Sequence, residues 1–205
     1  MKIYKSTLTA FAAFAFSVIS THASAYVWTS DTNTSSSFEG VVNVTFDNPL
    51  APLSSVVDYT VGVATYNQGA IYNASSPNIT AAPSGSSGNF WSVGIFPSEQ
   101  TGPGVVSFST GVRYYGFLWG SSDWYNSVTF NLAGGDTASV TLTGSDVPSG
   151  TGDQSVARYL NFFAQGNEVI TSVSFSSRDN AFETDNHAYS VTAVPEPQTY
   201  AMMLA

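Results

Sequence analysis

The chain contains no cysteine and very few basic residues. Without cysteine it can form neither a disulfide nor a thiolate metal site, so its stability must come from a packed core or from bound ions. Its five lysines and arginines stand against 14 acidic residues, which gives a formal net charge of −9. Because such a negative field repels nucleic acid and anionic membrane surfaces, we expect neither as a partner.

The chain also lacks an apolar run of membrane-spanning length and any amphipathic helical repeat. Apolar and polar residues alternate instead with a period of two, as at Val42, Val44 and Phe46, and Gly, Pro, Asn and Ser turns separate these segments. The pattern predicts strands at 42–46, 57–66, 90–96, 105–109, 112–119, 124–132, 138–142, 158–164, 169–176 and 186–194. It favours an all-β fold, an antiparallel β-sandwich that is jelly-roll-like, with a barrel as the alternative.

The first 25 residues are organised like a secretory signal peptide. Two lysines form a positive n-region, residues 8–19 form an apolar run, and Ala23 and Ala25 fit a small-x-small cleavage site. A transmembrane anchor is disfavoured because the apolar run is much shorter than a bilayer span. Cleavage after Ala25 makes Tyr26 the first mature residue, and we expect one exported β-sandwich domain over residues 26–193.

A short proline-rich motif lies near the end of the sequence. It consists of Val194, Pro195, Glu196 and Pro197, and an apolar segment follows at once. The two prolines remove backbone donors and hold the segment extended, which leaves it accessible to a protease. This motif, with the Tyr-Ala-Met-Met-Leu-Ala of residues 200–205, resembles the start of the PEP-CTERM sorting signal of Gram-negative bacteria.

The resemblance implies a protein that is secreted or displayed on the outer cell surface of a Gram-negative bacterium, and processed by the membrane peptidase exosortase. In that family a membrane helix and a basic cluster follow the motif. We therefore expect the full-length chain to continue past Ala205 and to contact the membrane only transiently through that helix. Family context also implies a role in the biofilm matrix, with exopolysaccharide or another glycan as partner. The alternative is a proline-rich tail with no sorting role.

The segment 114–126 combines aromatic rings with acid and amide side chains. It resembles a Tyr-Gly-Phe-x-Trp-Gly-Ser-x-Asp-x-Tyr-Asn pattern of many exosortase-dependent surface proteins, which implies a family and not an activity. Aromatic rings stack on the CH faces of sugars, and carboxylate and amide groups bond to sugar hydroxyls. Trp119, Asp123, Trp124 and Asn126 are therefore candidate glycan ligands. The alternative is that the rings belong to the core and that the Gly-Ser-Ser-Asp stretch between them is a turn.

A second acidic segment precedes the final strand. The Phe-Glu-x-Asp-Asn of residues 182–186 is similar to the closing motif of many secreted jelly-roll modules, where an acidic residue can ligate a structural Ca²⁺. The resemblance implies Glu183 and Asp185 as metal ligands, with Asp47 near the first strand as their partner. Calcium takes several oxygen ligands in irregular geometry, which suits loop carboxylates. The alternative is that these side chains stabilise turns.

The sequence offers little for catalysis. His187 is the only histidine of the mature chain, and Asp185 could share its strand face, as a Ser-His-Asp arrangement would need. No Gly-x-Ser-x-Gly elbow occurs, and a lone histidine beside a turn is more often on the surface. We therefore expect no enzymatic activity. Two alternatives to glycan contact stay open: a coat protein without a discrete ligand, and a carbohydrate-active hydrolase that uses paired carboxylates.

Overall fold

The described part of the chain is built almost entirely from β-strands. The structure, a computed structural model, describes residues 25–47, 59–95, 102–148 and 151–195. Its strands are β1 Tyr26–Asp31, β2 Val42–Val44, β3 Tyr59–Val61, β4 Ala64–Asn67, β5 Ala70–Tyr72, β6 Phe90–Val93, β7 Gly104–Val112, β8 Tyr114–Gly120, β9 Asn126–Ala133, β10 Ser139–Thr143, β11 Ala157–Ala164, β12 Val169–Ser177 and β13 Phe182–Ser190. Within these ranges a single 3₁₀ turn, Gly144–Asp146, is the only helical element, and no helix is long and apolar enough to cross a membrane.

The strands form two antiparallel sheets that pack against each other. The seven-stranded sheet has the order β1-β11-β8-β13-β6-β5, with β2 also paired to β13, and the six-stranded sheet has the order β10-β9-β12-β7-β4-β3. From β6 to β13 the chain crosses between the sheets at every step except the β9–β10 hairpin. The resulting orders β6-β13-β8-β11 and β7-β12-β9-β10 are those of a jelly roll. The predicted jelly-roll-like, antiparallel β-sandwich is confirmed.

Aromatic rings dominate the core between the two sheets. Trp119 on β8 stacks on Phe182 of β13, with ring centroids 4.5 Å apart. Phe130 of the six-stranded sheet stacks on Phe162 of the seven-stranded sheet at 3.9 Å. All four residues lie in the main cluster of buried side chains. Since buried aromatic side chains each remove a large area from water, these contacts between strands and between sheets stabilise the sandwich.

A second, smaller cluster covers the outer face of the seven-stranded sheet. Phe38, from the segment between β1 and β2, packs edge-on against Tyr114 and Phe163 at 5.2 and 5.4 Å. The Tyr114 hydroxyl donates a hydrogen bond to Asn161 Oδ1 at 2.8 Å. Strand β8 is thus buried on both of its faces, and every one of its residues is buried.

One predicted strand is divided in the structure. The described residues of the predicted strand 57–66 form the hairpin β3–β4, with a turn at Gly62 and Val63. Gly62 has a φ of +59°, and the Tyr189 hydroxyl lies where a Cβ would be. That hydroxyl donates to the Val61 carbonyl at 2.8 Å and accepts from the Val63 amide at 3.1 Å. A distant tyrosine therefore fixes this turn.

Candidate functional site

Several connections meet at one end of the sandwich, which we call the loop end. Strand register places them together, because Thr184 pairs with both Trp91 and Trp119 and Ser177 pairs with Asn126. Its described residues are 94–95, 102–103, 121–125, 144–148, 151–156 and 178–181. Binding residues often lie on loops that a rigid sandwich holds in place. The predicted glycan-binding residues lie at or next to this end.

The four predicted glycan ligands do not share one surface. Trp119 is 0 % exposed and belongs to the core, so no face of its indole is open to a surface ligand. Asn126 is also buried, and its amide donates to the Ala181 carbonyl at 3.0 Å, which ties β9 to the β12–β13 loop. Asp123 is half-buried and Trp124 is exposed. The structure leaves only these last two accessible to a ligand.

Trp124 forms an exposed aromatic platform. Its side chain is 66 % exposed, more than the other large hydrophobic residues exposed in the described ranges. The Arg178 guanidinium lies 5.2 Å from its ring centroid, and Tyr125 packs edge-on at 5.7 Å. The Tyr125 hydroxyl donates to the Asn180 carbonyl at 3.1 Å, which fixes the two loops together. We call Trp124, Tyr125 and Arg178 the Trp124 platform.

Two hollows flank the β12–β13 loop. The larger, about 650 Å³, has polar groups in its lining, among them Ser75, Asn78, Gln154, Asp179, Asn180 and Glu183. The smaller, about 280 Å³, is lined by glycines, serines, Ile95, Pro103 and Arg178. The larger hollow therefore offers hydroxyl, amide and carboxylate groups, and the smaller one combines apolar surface with a guanidinium.

Glu183 anchors the wall of the larger hollow. Its carboxylate is almost fully buried, and it accepts hydrogen bonds from the Ala81 amide at 2.8 Å and the Ser121 hydroxyl at 3.2 Å. Burial raises the pKa of Glu183 to about 7, and the nearby Asp123 carboxylate acts in the same direction. This side chain therefore ties β13 both to the β5–β6 connection and to the β8–β9 loop.

Asp185 and Asp47 accept hydrogen bonds from a later part of the β5–β6 connection. Asp185 is fully buried, its Oδ2 accepts a hydrogen bond from the Ser86 hydroxyl, and its Oδ1 accepts no hydrogen bond of good geometry. Burial raises the pKa of Asp185 to about 7, and the Asp47 carboxylate contributes to the rise. Asp47 accepts from the Asn89 amide at 2.7 Å. The β5–β6 connection is therefore anchored at several points, through Ala81, Ser86 and Asn89.

The calcium site of Asp47, Glu183 and Asp185 stays a prediction. Within the described ranges, no group of three or more His, Cys, Asp and Glu side chains is placed to hold a metal ion. Glu183 fits poorly as a ligand, because amide and hydroxyl donors occupy its carboxylate. Asp185 and Asp47 fit better, since their carboxylates interact and one Asp185 oxygen accepts no hydrogen bond of good geometry. Calcium there would need further oxygen ligands to reach its usual coordination.

We expect calcium to raise the melting temperature relative to EGTA. An ion that binds only the folded state at about 100 times its Kd raises Tm by on the order of 5 °C in a domain of this size. Thermal unfolding of the wild type and of Asp47→Asn, with calcium and with EGTA, measures this shift. Asp136→Asn, on an exposed turn at the opposite end, is the matched control and keeps the gain. An unchanged wild-type Tm would rule out the site.

His187 lies in the core, so the expectation of a surface histidine is wrong. It is 0 % exposed, and its Nδ1 and Nε2 lie 2.6 and 2.8 Å from the hydroxyls of Tyr115 and Thr184. Burial lowers the pKa of His187 to about 3, so the ring is neutral. A β-bulge at Asn186 separates it from Asp185, whose carboxylate faces the β5–β6 connection on the other side of the sheet. These two residues therefore do not form the arrangement that a Ser-His-Asp triad needs.

Comparison with known proteins assigns the chain to no family, so its class rests on its fold. No family model matches the chain, and no curated protein or solved structure matches it. The protein is an all-β jelly-roll sandwich with an aromatic platform and a polar hollow at its loop end. A binding role for this end must therefore be inferred from its chemistry.

Proposed function

We propose that the protein is an exported, non-catalytic protein of the cell surface or matrix that binds a glycan at its loop end. The observation that supports this best is the exposed indole of Trp124, which Tyr125 and Arg178 contact at the loop end. The neighbouring β12–β13 loop lines a polar hollow through Asp179 and Asn180. An exposed indole that neighbouring side chains hold in place offers a ring face on which a sugar can stack.

The chemistry of the loop end suits a sugar. The CH face of a pyranose ring stacks on an indole, and its hydroxyl groups pair with amide and carboxylate groups. Trp124 supplies the ring, and Gln154, Asp179 and Asn180 supply polar groups in the larger hollow. These groups stand on loops fixed to the sandwich, so little conformational entropy is lost when a ligand binds.

The fold is compatible with the proposed export and sorting. Strand β1 begins at Tyr26, the residue that cleavage after Ala25 makes first, so the predicted mature chain keeps this strand whole. At the other end, Val194 packs on the smaller cluster around Phe38, and Pro195 is exposed. A peptidase could therefore reach this segment without unfolding the sandwich, which supports the proposed sorting. Ala23, Glu196 and Pro197 lie outside the described residues.

Replacing Trp124 should abolish most glycan binding. We expect the exported chain to bind a glycan on an array and Trp124→Ala to lose at least about tenfold in affinity, as for a buried aromatic anchor of a complex. Val191→Ala is the matched control, because Val191 is also an exposed apolar residue, 47 % exposed, but follows β13 at the opposite end.

The array also separates the alternatives. An exported chain that binds no glycan, with calcium or with EGTA, would contradict the proposal and favour a coat protein without a discrete ligand. Release of sugar from a bound glycan would instead favour the carbohydrate-active hydrolase. In that case Glu183→Ala, which removes a carboxylate from the lining of the larger hollow, should abolish the release.

A further inference from the structure

We infer that the glycan carries an oxyanion, and that Arg178 binds it beside the Trp124 ring. The inference rests on the proposed glycan-binding function and adds the chemical class of the ligand. The oxyanion is a carboxylate or sulfate group on a sugar residue. An exposed guanidinium lies beside an exposed indole, and this pair can bind such a sugar.

Arg178 differs from the other arginines of the mature chain. The Arg113 guanidinium donates to the Glu168 carbonyl at 2.9 Å, and Arg158 Nη1 donates to the Ala157 carbonyl at 3.4 Å. Arg178 is exposed, and its contact within the described ranges is the face of Trp124; no carboxylate there pairs with it. Its planar fork of N–H donors can therefore bind a planar oxyanion with two parallel hydrogen bonds.

The acidic neighbours of Arg178 are directed elsewhere. Asp179 accepts a hydrogen bond from the Asn180 amide at 2.8 Å and lines the larger hollow, whereas Arg178 lines the smaller one. One Asp123 oxygen lies against Gly152, where a Cβ would be. The β12–β13 loop therefore divides the loop end into an acidic side and a basic side.

The negative net charge of the mature chain opposes binding of an anionic glycan, so the direct contact with Arg178 must offset it. Three arginines against 14 acidic residues leave a formal charge of −11, so the protein as a whole repels polyanions. That repulsion is screened beyond about 8 Å at physiological salt, and a direct contact at Arg178 is not. An anionic glycan is therefore expected to bind through this local contact and not through a basic patch.

The smaller hollow is large enough for about one sugar residue. Its volume of about 280 Å³ is below the range of about 300–1,000 Å³ that holds a whole drug-sized molecule. Ile95, which is 49 % exposed, and Pro103 supply apolar surface at its wall. A glycan that stacks one residue on the face of Trp124 that Arg178 leaves open can bring the oxyanion of an adjoining residue to Arg178 and a CH face against this wall.

Titration calorimetry of the exported chain tests the inference with three probes: oligogalacturonate, its carboxyl-reduced neutral counterpart, and a sulfated oligosaccharide. We expect Arg178→Gln to weaken binding of an oxyanion-bearing probe at least about tenfold, as when a charged hydrogen bond is lost. Asn167→Asp makes the same change in net charge on an exposed loop at the opposite end and should bind as the wild type does. The preferred probe decides between carboxylate and sulfate.

The neutral probe separates recognition of the oxyanion from support of the indole. If Arg178 only holds Trp124 in place, Arg178→Gln weakens the neutral and the anionic probes equally, and the inference is overturned. It is also overturned if Trp124→Ala loses oligogalacturonate while Arg178→Gln keeps it, although glycan binding then stands. Absence of binding to all three probes and to the array would remove the proposed function itself.

Discussion

Trp119→Ala is expected to lower the free energy of unfolding by about 3–5 kcal/mol, the usual cost of removing a large aromatic side chain from a core. Trp119 is 0 % exposed, stacks on Phe182 at 4.5 Å and lies 5.8 Å from the Phe117 ring. It lies on β8, which is buried on both faces, so the surrounding strands have little room to collapse into the cavity. Equilibrium unfolding in urea, followed by tryptophan fluorescence and circular dichroism, measures the loss.

The matched variant Trp124→Ala should leave stability within about 1 kcal/mol of the wild type, since surface substitutions cost little. Its ring is 66 % exposed and contacts Arg178 and Tyr125 at the loop end. The pair therefore separates two tryptophans that share one sequence motif: Trp119 is expected to support folding, and Trp124 is proposed to bind the ligand. Equal stability of Trp119→Ala and the wild type would contradict the position of Trp119 in the core.

The alternating pattern predicted the fold class because most strands have one face on the core. The pattern predicts strands β7, β9 and β12 within a few residues, and the buried side chains of β7 and β9 follow the period of two. In β12 a bulge between Ile170 and Ser172 interrupts that period. The same rule does not identify the accessible side of β8, where Tyr114 and Tyr115 are both buried. The sequence does not show which face of β8 packs against the other sheet, and Trp119 lies on that face, in the main core cluster.

Other features depend on partners far away in the sequence. The Gly62 turn is fixed by Tyr189, more than 120 residues later, and the strand pattern of 57–66 carries no trace of that contact. His187 is turned into the core by the bulge at Asn186, a residue with a φ of +48°. Turn-forming residues lie next to His187 in the sequence, and they predict a surface position. In the fold, the rings of Phe46 and Tyr115 pack against His187 and bury it.

The sequence predicts Glu183 and Asp185 as metal ligands, and in the structure both accept hydrogen bonds from a loop. Each accepts a hydrogen bond from the β5–β6 connection, through Ala81 and Ser86 respectively. This role was not predictable, because a loop rich in Ser, Gly and Pro does not indicate on which face of a sheet it lies. The position of that loop makes both carboxylates buried, and their burial has a measurable consequence.

The free energy of unfolding is expected to fall as the pH rises from about 4 to about 8. Burial raises the pKa values of Glu183 and Asp185 to about 7 in the folded state, from ordinary values of 4.5 and 3.8. The folded state therefore holds these protons more tightly than the unfolded chain does. Their contribution is fully present below the unfolded pKa values and is lost as the pH rises through the folded ones. At about 1.4 kcal/mol per pKa unit, the two together contribute several kcal/mol.

Urea unfolding across this pH range, in EGTA so that no divalent cation takes part, measures the effect. Glu183→Gln and Asp185→Asn should each flatten the profile, because a neutral amide has no proton to lose, and Asp136→Asn on the exposed hairpin turn should keep it. A wild-type profile that rises with pH would show that both carboxylates are ionised in the folded protein. Calcium added at pH 8 provides the complementary test: a cation beside Asp47 and Asp185 favours the ionised carboxylates. It should therefore restore the part of the stability that deprotonation of Asp185 removes.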